Sequence, residues 1–154
     1  MKFLNSKDAL EFSKTLECWT ENIEICPIEG GISNHNFLVI HGKEKFVVRV
    51  NGDDPEHGVS RLNDFNCNNA AAEAGVAPPV FYYHPSALVV HYIEGTPIEI
   101  EDVSKEKYLQ EIVRLIKITH REVSREISGS VASFWPFRSC RNYSKLLKAQ
   151  ESRI

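Results

Sequence analysis

IEGGISNHNFLVIHGKEKFVVRVNG, running from Ile28 to Gly52, is the stretch on which the fold turns. It reads as the end of one strand, a glycine turn, a second strand, a short turn and a third strand. Ile23 to Ile28 is β-branched and half alternating, and Gly30-Gly31 is a tight turn. Asn36 to Ile40 and Lys45 to Val50 are rich in Val, Ile and Phe, and His41-Gly42-Lys43 joins them as a hairpin. The first turn sets two glycines beside Ser33 and Asn34, so backbone amides and short polar side chains can approach an anion closely. The third strand carries one interior charge, Arg49, on the same face as Val47 because side chains alternate. A lone Arg on an apolar face needs an anionic partner. Phosphate suits it, since the guanidinium fork fits that group bidentately. A plain β-meander with a locally paired Arg is the alternative, and neither the Walker pattern nor G-x-G-x-x-G is present.

The chain has 154 residues, enough for one domain or for one and part of another. Folding at this size removes roughly 68–70% of the unfolded surface. The composition, 42% hydrophobic and 25% charged, is that of an ordinary globular protein. A net charge of −3 with scattered Lys and Arg makes no case for nucleic acid or for an anionic membrane. Cys18, Cys26, Cys67 and Cys140 are far apart and lack C-x-x-C spacing, so free thiols in a reducing, cytoplasmic compartment are expected rather than a disulfide frame or a zinc site. The opening MKFLNSKDAL turns polar after Leu4, unlike a signal peptide. The longest apolar run, around Ala87 to Val90, is too short to span a bilayer.

Upstream of the central stretch, Asn5 or Ser6 can cap a helix to about Glu17, with Ala9, Leu10, Phe12 and Leu16 toward the sheet. Downstream, Asn51-Gly52-Asp53-Asp54-Pro55 is a loop by composition. Ser60 then caps a helix to Ala74 that Gly75 closes. Asn63, Asn66, Asn68 and Asn69 are poor helix formers, so tertiary packing must hold it. Asp64, one turn in, either reaches across to Arg49 or merely suits the positive helix N-terminus. Val80 to Tyr83 and Ala87 to Tyr92 complete a sheet of about five strands, and Ile93-Glu94-Gly95-Thr96-Pro97 reads as a linker. Beyond it the chain is helical. Ser104 caps a helix to about Ser124 with Leu109, Ile112, Val113, Ile116 and His120 on one stripe. Phe134-Trp135-Pro136-Phe137 reads as an aromatic plug between helices, and Arg141 opens a last helix.

Six pieces in this order carry a resemblance: Glu29-Gly30-Gly31-Ile32-Ser33-Asn34, Val47-Val48-Arg49-Val50-Asn51-Gly52, Ser60-Arg61, Ala74-Gly75-Val76-Ala77-Pro78, Tyr92-Ile93-Glu94-Gly95-Thr96-Pro97 and Phe134-Trp135-Pro136-Phe137. From about Asn5 onward the chain resembles the N-terminal part of a choline/ethanolamine kinase, in the superfamily of aminoglycoside phosphotransferases and the protein-kinase-like fold. The resemblance implies an α+β fold: a kinase-like N-lobe over residues 1–92, an antiparallel sheet with one inserted helix, then a hinge at 93–97 and the incomplete start of a helical lobe at 98–154. It implies that Gly30, Gly31, Ser33 and Asn34 cover the ATP phosphates and that Arg49 stands in for the kinase lysine. Asp64 takes the place of the Glu that pairs with that cation, one methylene shorter. Val47 would floor the adenine, and backbone groups around His91, Tyr92, Ile93 and Glu94 would bond its edge, with the Tyr92 ring as hinge packing.

Such kinases also need a catalytic Asp and Mg²⁺ ligands in an H-x-D-x-x-x-x-N loop. None of the six histidines, His35, His41, His57, His84, His91 and His120, has Asp two residues on. No catalytic or metal-binding residue is therefore expected in this sequence, and no turnover by it alone. The expected function is the ATP-binding portion of a kinase that passes the γ-phosphate to choline or ethanolamine. The alternatives are an aminoglycoside-type phosphotransferase fragment, or a non-catalytic half-kinase that binds a nucleotide or a protein. The apolar helical faces would favour self-association.

Overall fold

A computed structural model describes residues 5–29, 34–50, 59–132 and 135–149. Helix α1, Ser6–Lys14, leads into strands β1 (Ile23–Ile28), β2 (His35–His41) and β3 (Glu44–Val50). Helix α2, Arg61–Glu73, follows, then β4 (Val80–His84) and β5 (Ala87–His91). The five strands form one antiparallel sheet in the order β1-β2-β3-β5-β4, the α+β arrangement expected of the sequence. His41 pairs with Glu44, so only Gly42 and Lys43 turn the central hairpin.

Alternation divides the sheet into two unlike faces. Phe37, Val39, Phe46, Val48, Val50, Ala87 and Val89 point to one side and are buried there with Ala9 and Leu16. This is the core, and α1 is its lid. Asn5 caps α1 by accepting from the Asp8 amide at 2.9 Å. The helix stops at Lys14, short of the expected Glu17, because local side chains take over its last carbonyls. The Thr15 hydroxyl donates to the Phe12 carbonyl at 2.8 Å, and the Trp19 indole donates to the Ser13 carbonyl at 2.8 Å. The resulting turn delivers Leu16 to the core.

The opposite face carries Leu38, Val47, Arg49, Leu88 and Val90 in register across β2, β3 and β5. Helix α2 lies against β4 and β5. Ser60 accepts from the Asn63 amide, and the far end closes as a Schellman turn. There the Gly75 amide donates to the Ala72 carbonyl and the Val76 amide to the Ala71 carbonyl, each at 2.9 Å, with Gly75 at φ +73°.

Residues 92–99 have no regular structure. A 3-10 turn, Ile100–Asp102, precedes α3 (Glu106–Ile118), which runs through a π turn (Thr119–Val123) into α4 (Ser124–Glu126). Ser104 does not cap this helix: its hydroxyl turns back to the Glu101 carbonyl at 3.1 Å, and Lys105 stands at the cap, its side chain pairing with Asp102 rather than capping the helix. The last helix, α5 (Pro136–Ala149), starts five residues before Arg141, since Pro suits a first helical position. The Trp135 and Phe137 rings pack on each other at 5.6 Å and are otherwise exposed, so they are no plug; Phe134 lies outside the described residues. On the expected stripe of α3, Leu109, Val113 and Ile116 face solvent. None of the described helices is long and apolar enough to cross a membrane.

Candidate functional site

The site grows from the third strand. Lys45, Val47 and Arg49 alternate onto the face away from the α1 core. Arg49 pairs with Asn36 of β2 on one side and Leu88 of β5 on the other, so it sits mid-sheet rather than at an edge. Val47, two residues back and roughly 7 Å away along the strand, is half-buried between Leu38 and Val90.

Asp64 comes to Arg49 from the first turn of α2. Arg49 Nη1 donates to Asp64 Oδ1 at 2.9 Å, which settles in favour of pairing what the sequence left open. The shorter side chain reaches because the helix start lies close to the strand. Arg61 Nη1 donates to the other carboxylate oxygen, Oδ2, also at 2.9 Å. The three groups differ in solvent access: the Arg61 side chain is 4% exposed, Asp64 24% and Arg49 34%. The arrangement is a buried guanidinium, a shared carboxylate and an outer guanidinium. Among the described residues these three side chains carry two positive charges and one negative charge. The outer member, Arg49, gives one N–H to Asp64 and has others on the more exposed side of the cluster. Arg61 was not foreseen as part of the site, although its i, i+3 spacing from Asp64 was a signal for it.

The residues after β5 gather on Lys45, which was also not foreseen. Lys45 Nζ donates to Glu94 Oε1 at 2.6 Å and stands 5.6 Å from the centre of the Tyr92 ring. The Glu94 carboxylate holds the Lys45 ammonium above its usual range, chiefly by that hydrogen bond. Lys43, Glu44, Lys45, His91, Tyr92 and Glu94 line a small open cavity.

Some groups after β5 are already engaged within the protein. The His91 ring faces away from Arg49, packing on Phe46 at 5.0 Å and edge-on to Phe81 at 5.7 Å, because its register partner Phe46 points into the core. The His91 amide donates to the Pro79 carbonyl at 3.1 Å and the Tyr92 amide to the Lys45 carbonyl at 2.9 Å. Since each amide has one proton, a ligand edge here can take bonds only from carbonyls or from the amides of Ile93 and Glu94 onward. Asn34 is half-buried directly before β2. Gly30, Gly31 and Ser33, and the loop at Asn51 and Gly52, lie outside the described residues. No cluster of three metal-ligating side chains occurs among the described residues.

A sequence profile of choline/ethanolamine kinases matches residues 25–153. The chain belongs to the choline/ethanolamine kinase family. Among curated proteins it is similar to a probable ethanolamine kinase B of Dictyostelium discoideum, 26% identical over 99 residues, covering 61% of this chain and 22% of that one. Among solved structures it resembles an ethanolamine kinase of Plasmodium vivax, with a TM-score of 0.64 at 18% identity over 86% of this chain and 38% of that one. A choline/ethanolamine kinase family protein of Mesorhizobium loti gives 0.61 at 22% identity, over 93% and 46%. A choline kinase of Cryptosporidium parvum gives 0.63 at 16%, over 97% and 43%. This member of the choline/ethanolamine kinase family thus spans less than half the length of the relatives it matches. At these identities the solved structures establish the fold, a kinase-like sheet with its inserted helix.

Proposed function

We propose that this chain is the nucleotide-binding portion of an ATP-dependent kinase whose acceptor is choline or ethanolamine. The observation that carries the proposal is the Arg49–Asp64 pair at 2.9 Å on the open face of the sheet. A part-exposed guanidinium oriented by a carboxylate suits the α- and β-phosphates of a nucleotide. Gly30, Gly31, Ser33 and Asn34 are proposed to cover those phosphates, Val47 to floor the adenine, and the carbonyls and later amides of residues 91–94 to bond its edge. The domain division at 1–92, 93–97 and 98–154 belongs to the same proposal. Phosphoryl transfer depends mainly on positioning and charge stabilisation. The part assigned to this chain is to hold the phosphates against Arg49 and the base against Val47. Mg²⁺, when bound, neutralises charge between the phosphates. The described residues include no cluster of three metal-ligating side chains that fits it.

Calorimetry of ATP·Mg²⁺ on this chain and on Arg49→Ala tests the proposal. Loss of a charge-assisted phosphate contact weakens binding tenfold or more. Binding that is unchanged by Arg49→Ala refutes the assignment of the phosphate site.

One observation favours a second role. Leu109, Val113 and Ile116 of α3 and Trp135 and Phe137 near α5 are exposed together with Ile93 and Ile100. Such apolar surface packs against further protein in a kinase-like helical lobe, or against a second copy of the chain. A sedimentation coefficient that rises with concentration supports self-association, and a constant monomer value counts against it.

A further inference from the structure

Helix α2 is rich in asparagine, a residue that weakens helices because its side chain competes for backbone groups. Three of these asparagines are engaged with backbone outside the helix. Asn68 Nδ2 donates to the Pro78 carbonyl at 3.0 Å and ties down the connection into β4. Asn66 Nδ2 donates to the Ser130 carbonyl at 2.8 Å, and Asn63 Oδ1 accepts from the Ala132 amide at 2.6 Å. The last two clasp a segment more than sixty residues downstream, beyond α4. That segment enters the clasp at Gly129, whose φ is +83° and where an added Cβ would stand 3.1 Å from Asn66 Nδ2. The π turn and α4 also lie against α2.

Asn63 and Asn66 flank Asp64. One rigid turn of helix therefore holds the downstream segment by two side chains and the Arg49 guanidinium by a third. A shift of segment 130–132 by a fraction of a hydrogen-bond length breaks the clasp or carries the helix start with it. We infer that Asn63 and Asn66 are positioning residues that couple the Arg49–Asp64 pair, and through it phosphate affinity, to the placement of the chain segment that follows α4. The inference rests on the phosphate-site proposal above. It goes beyond that proposal in making the site responsive to the helical half of the molecule. By linkage the coupling is reciprocal: a nucleotide on Arg49 steadies segment 130–132 as much as that segment steadies the nucleotide site.

The test compares the full chain with Asn63→Ala/Asn66→Ala, with Gly129→Ala, which disturbs the clasp while leaving α2 untouched, and with Asn68→Ala as the control on the same helix. Two quantities are read: proton exchange at Arg49 Nη1, the nitrogen bonded to Asp64, by nitrogen-resolved NMR without nucleotide, and the ATP·Mg²⁺ dissociation constant. In the asparagine pair and in Gly129→Ala, Arg49 exchange quickens at least threefold and binding weakens about three- to tenfold. In Asn68→Ala both stay within twofold of the parent. Unchanged Arg49 exchange in both clasp variants, with faster exchange at the Ala132 amide alone, overturns the coupling. If the parent chain binds no ATP, the nucleotide proposal fails by itself, and Arg49 exchange still decides the coupling. If the asparagine pair fails to fold, Gly129→Ala decides it.

Discussion

Asp64→Ala removes the carboxylate from between two guanidinium groups, and the structure says which loss is the larger. Arg61 is 4% exposed, so removing Asp64 takes an ion-pair partner from a charge that water hardly reaches, although Arg61 keeps a further interaction. Breaking a buried pair costs about 3–5 kcal/mol when the remaining charge is left alone, and the low end of that range, ~3 kcal/mol, applies to Arg61 because its further interaction remains. Arg49 is 34% exposed and can rehydrate, so its share is nearer the ~1 kcal/mol of a partly exposed pair. The expected loss is about 4 kcal/mol, a shift of roughly 2 M in a urea midpoint at a slope of ~2 kcal/mol/M. Two double-mutant cycles separate the terms, one through Arg61→Ala and one through Arg49→Ala. The Arg61–Asp64 coupling should exceed the Arg49–Asp64 coupling by ~1 kcal/mol or more. Raising the salt from 0.05 to 0.5 M should shrink only the smaller one. Equal couplings, or a larger one for Arg49, would refute the reasoning that burial governs this cluster.

Burial, backbone angle and thiol environment each set a further outcome. Phe37→Ala and Phe46→Ala, at fully buried positions of the α1 face, should each cost about 3–5 kcal/mol in urea unfolding, against under 1 kcal/mol for Phe137→Ala on the surface. Gly75→Ala should cost ~1 kcal/mol and lower the melting temperature by about 2–4 °C, with Gly75→Asn milder; since no atom lies within 4 Å of the added Cβ, the penalty is purely one of backbone, and a larger drop would point to an unseen clash. Burial pushes the Cys18 thiol up to about 11, so alkylation at pH 8 should mark exposed Cys26 and Cys140 well before Cys18. Because the folded protein holds that proton more tightly than the unfolded chain, stability should fall as pH climbs between about 9 and 11, and the Cys18→Ala variant should lose that part of the slope.

The sheet was legible because its residues are consistent at every level. Val47-Val48-Arg49-Val50 is β-branched and alternating, and one register assigns the core and the open face at once. The Ser60 and Gly75 ends of α2 were legible for the same reason, since each carries a local signal that needs no partner. The Arg49–Asp64 contact could be anticipated from a strand face and a helix turn. Contacts that depend on the meeting of remote elements could not. Lys45 and Glu94 are 49 positions apart, and nothing in either neighbourhood marks the other. Arg61 differs from an ordinary surface Arg only by being buried, which is a tertiary fact. The asparagines of α2 were visible as an anomaly of propensity, but their partners at Pro78, Ser130 and Ala132 lie outside any helical period. Ser104 misled because a hydroxyl before a helix can equally turn back onto a carbonyl behind it.

The strand order also sets a sequence of events in time. Strands β1, β2 and β3 join their neighbours through short connections, so the meander can assemble on its own at the speed of hairpins, within microseconds. The third seam is different: β5 must find β3 across the roughly 36 residues between Val50 and Ala87, which include the whole of α2, at a closure cost of ~3 kcal/mol. That seam buries Val89 against Val48, and it is also the seam that sets Leu88 beside Arg49. Folding of the sheet and construction of the guanidinium cluster therefore wait on the same slow encounter. Substitutions at the β3–β5 seam should retard folding, whereas those in the first hairpin should act chiefly on the rate at which the finished sheet comes apart.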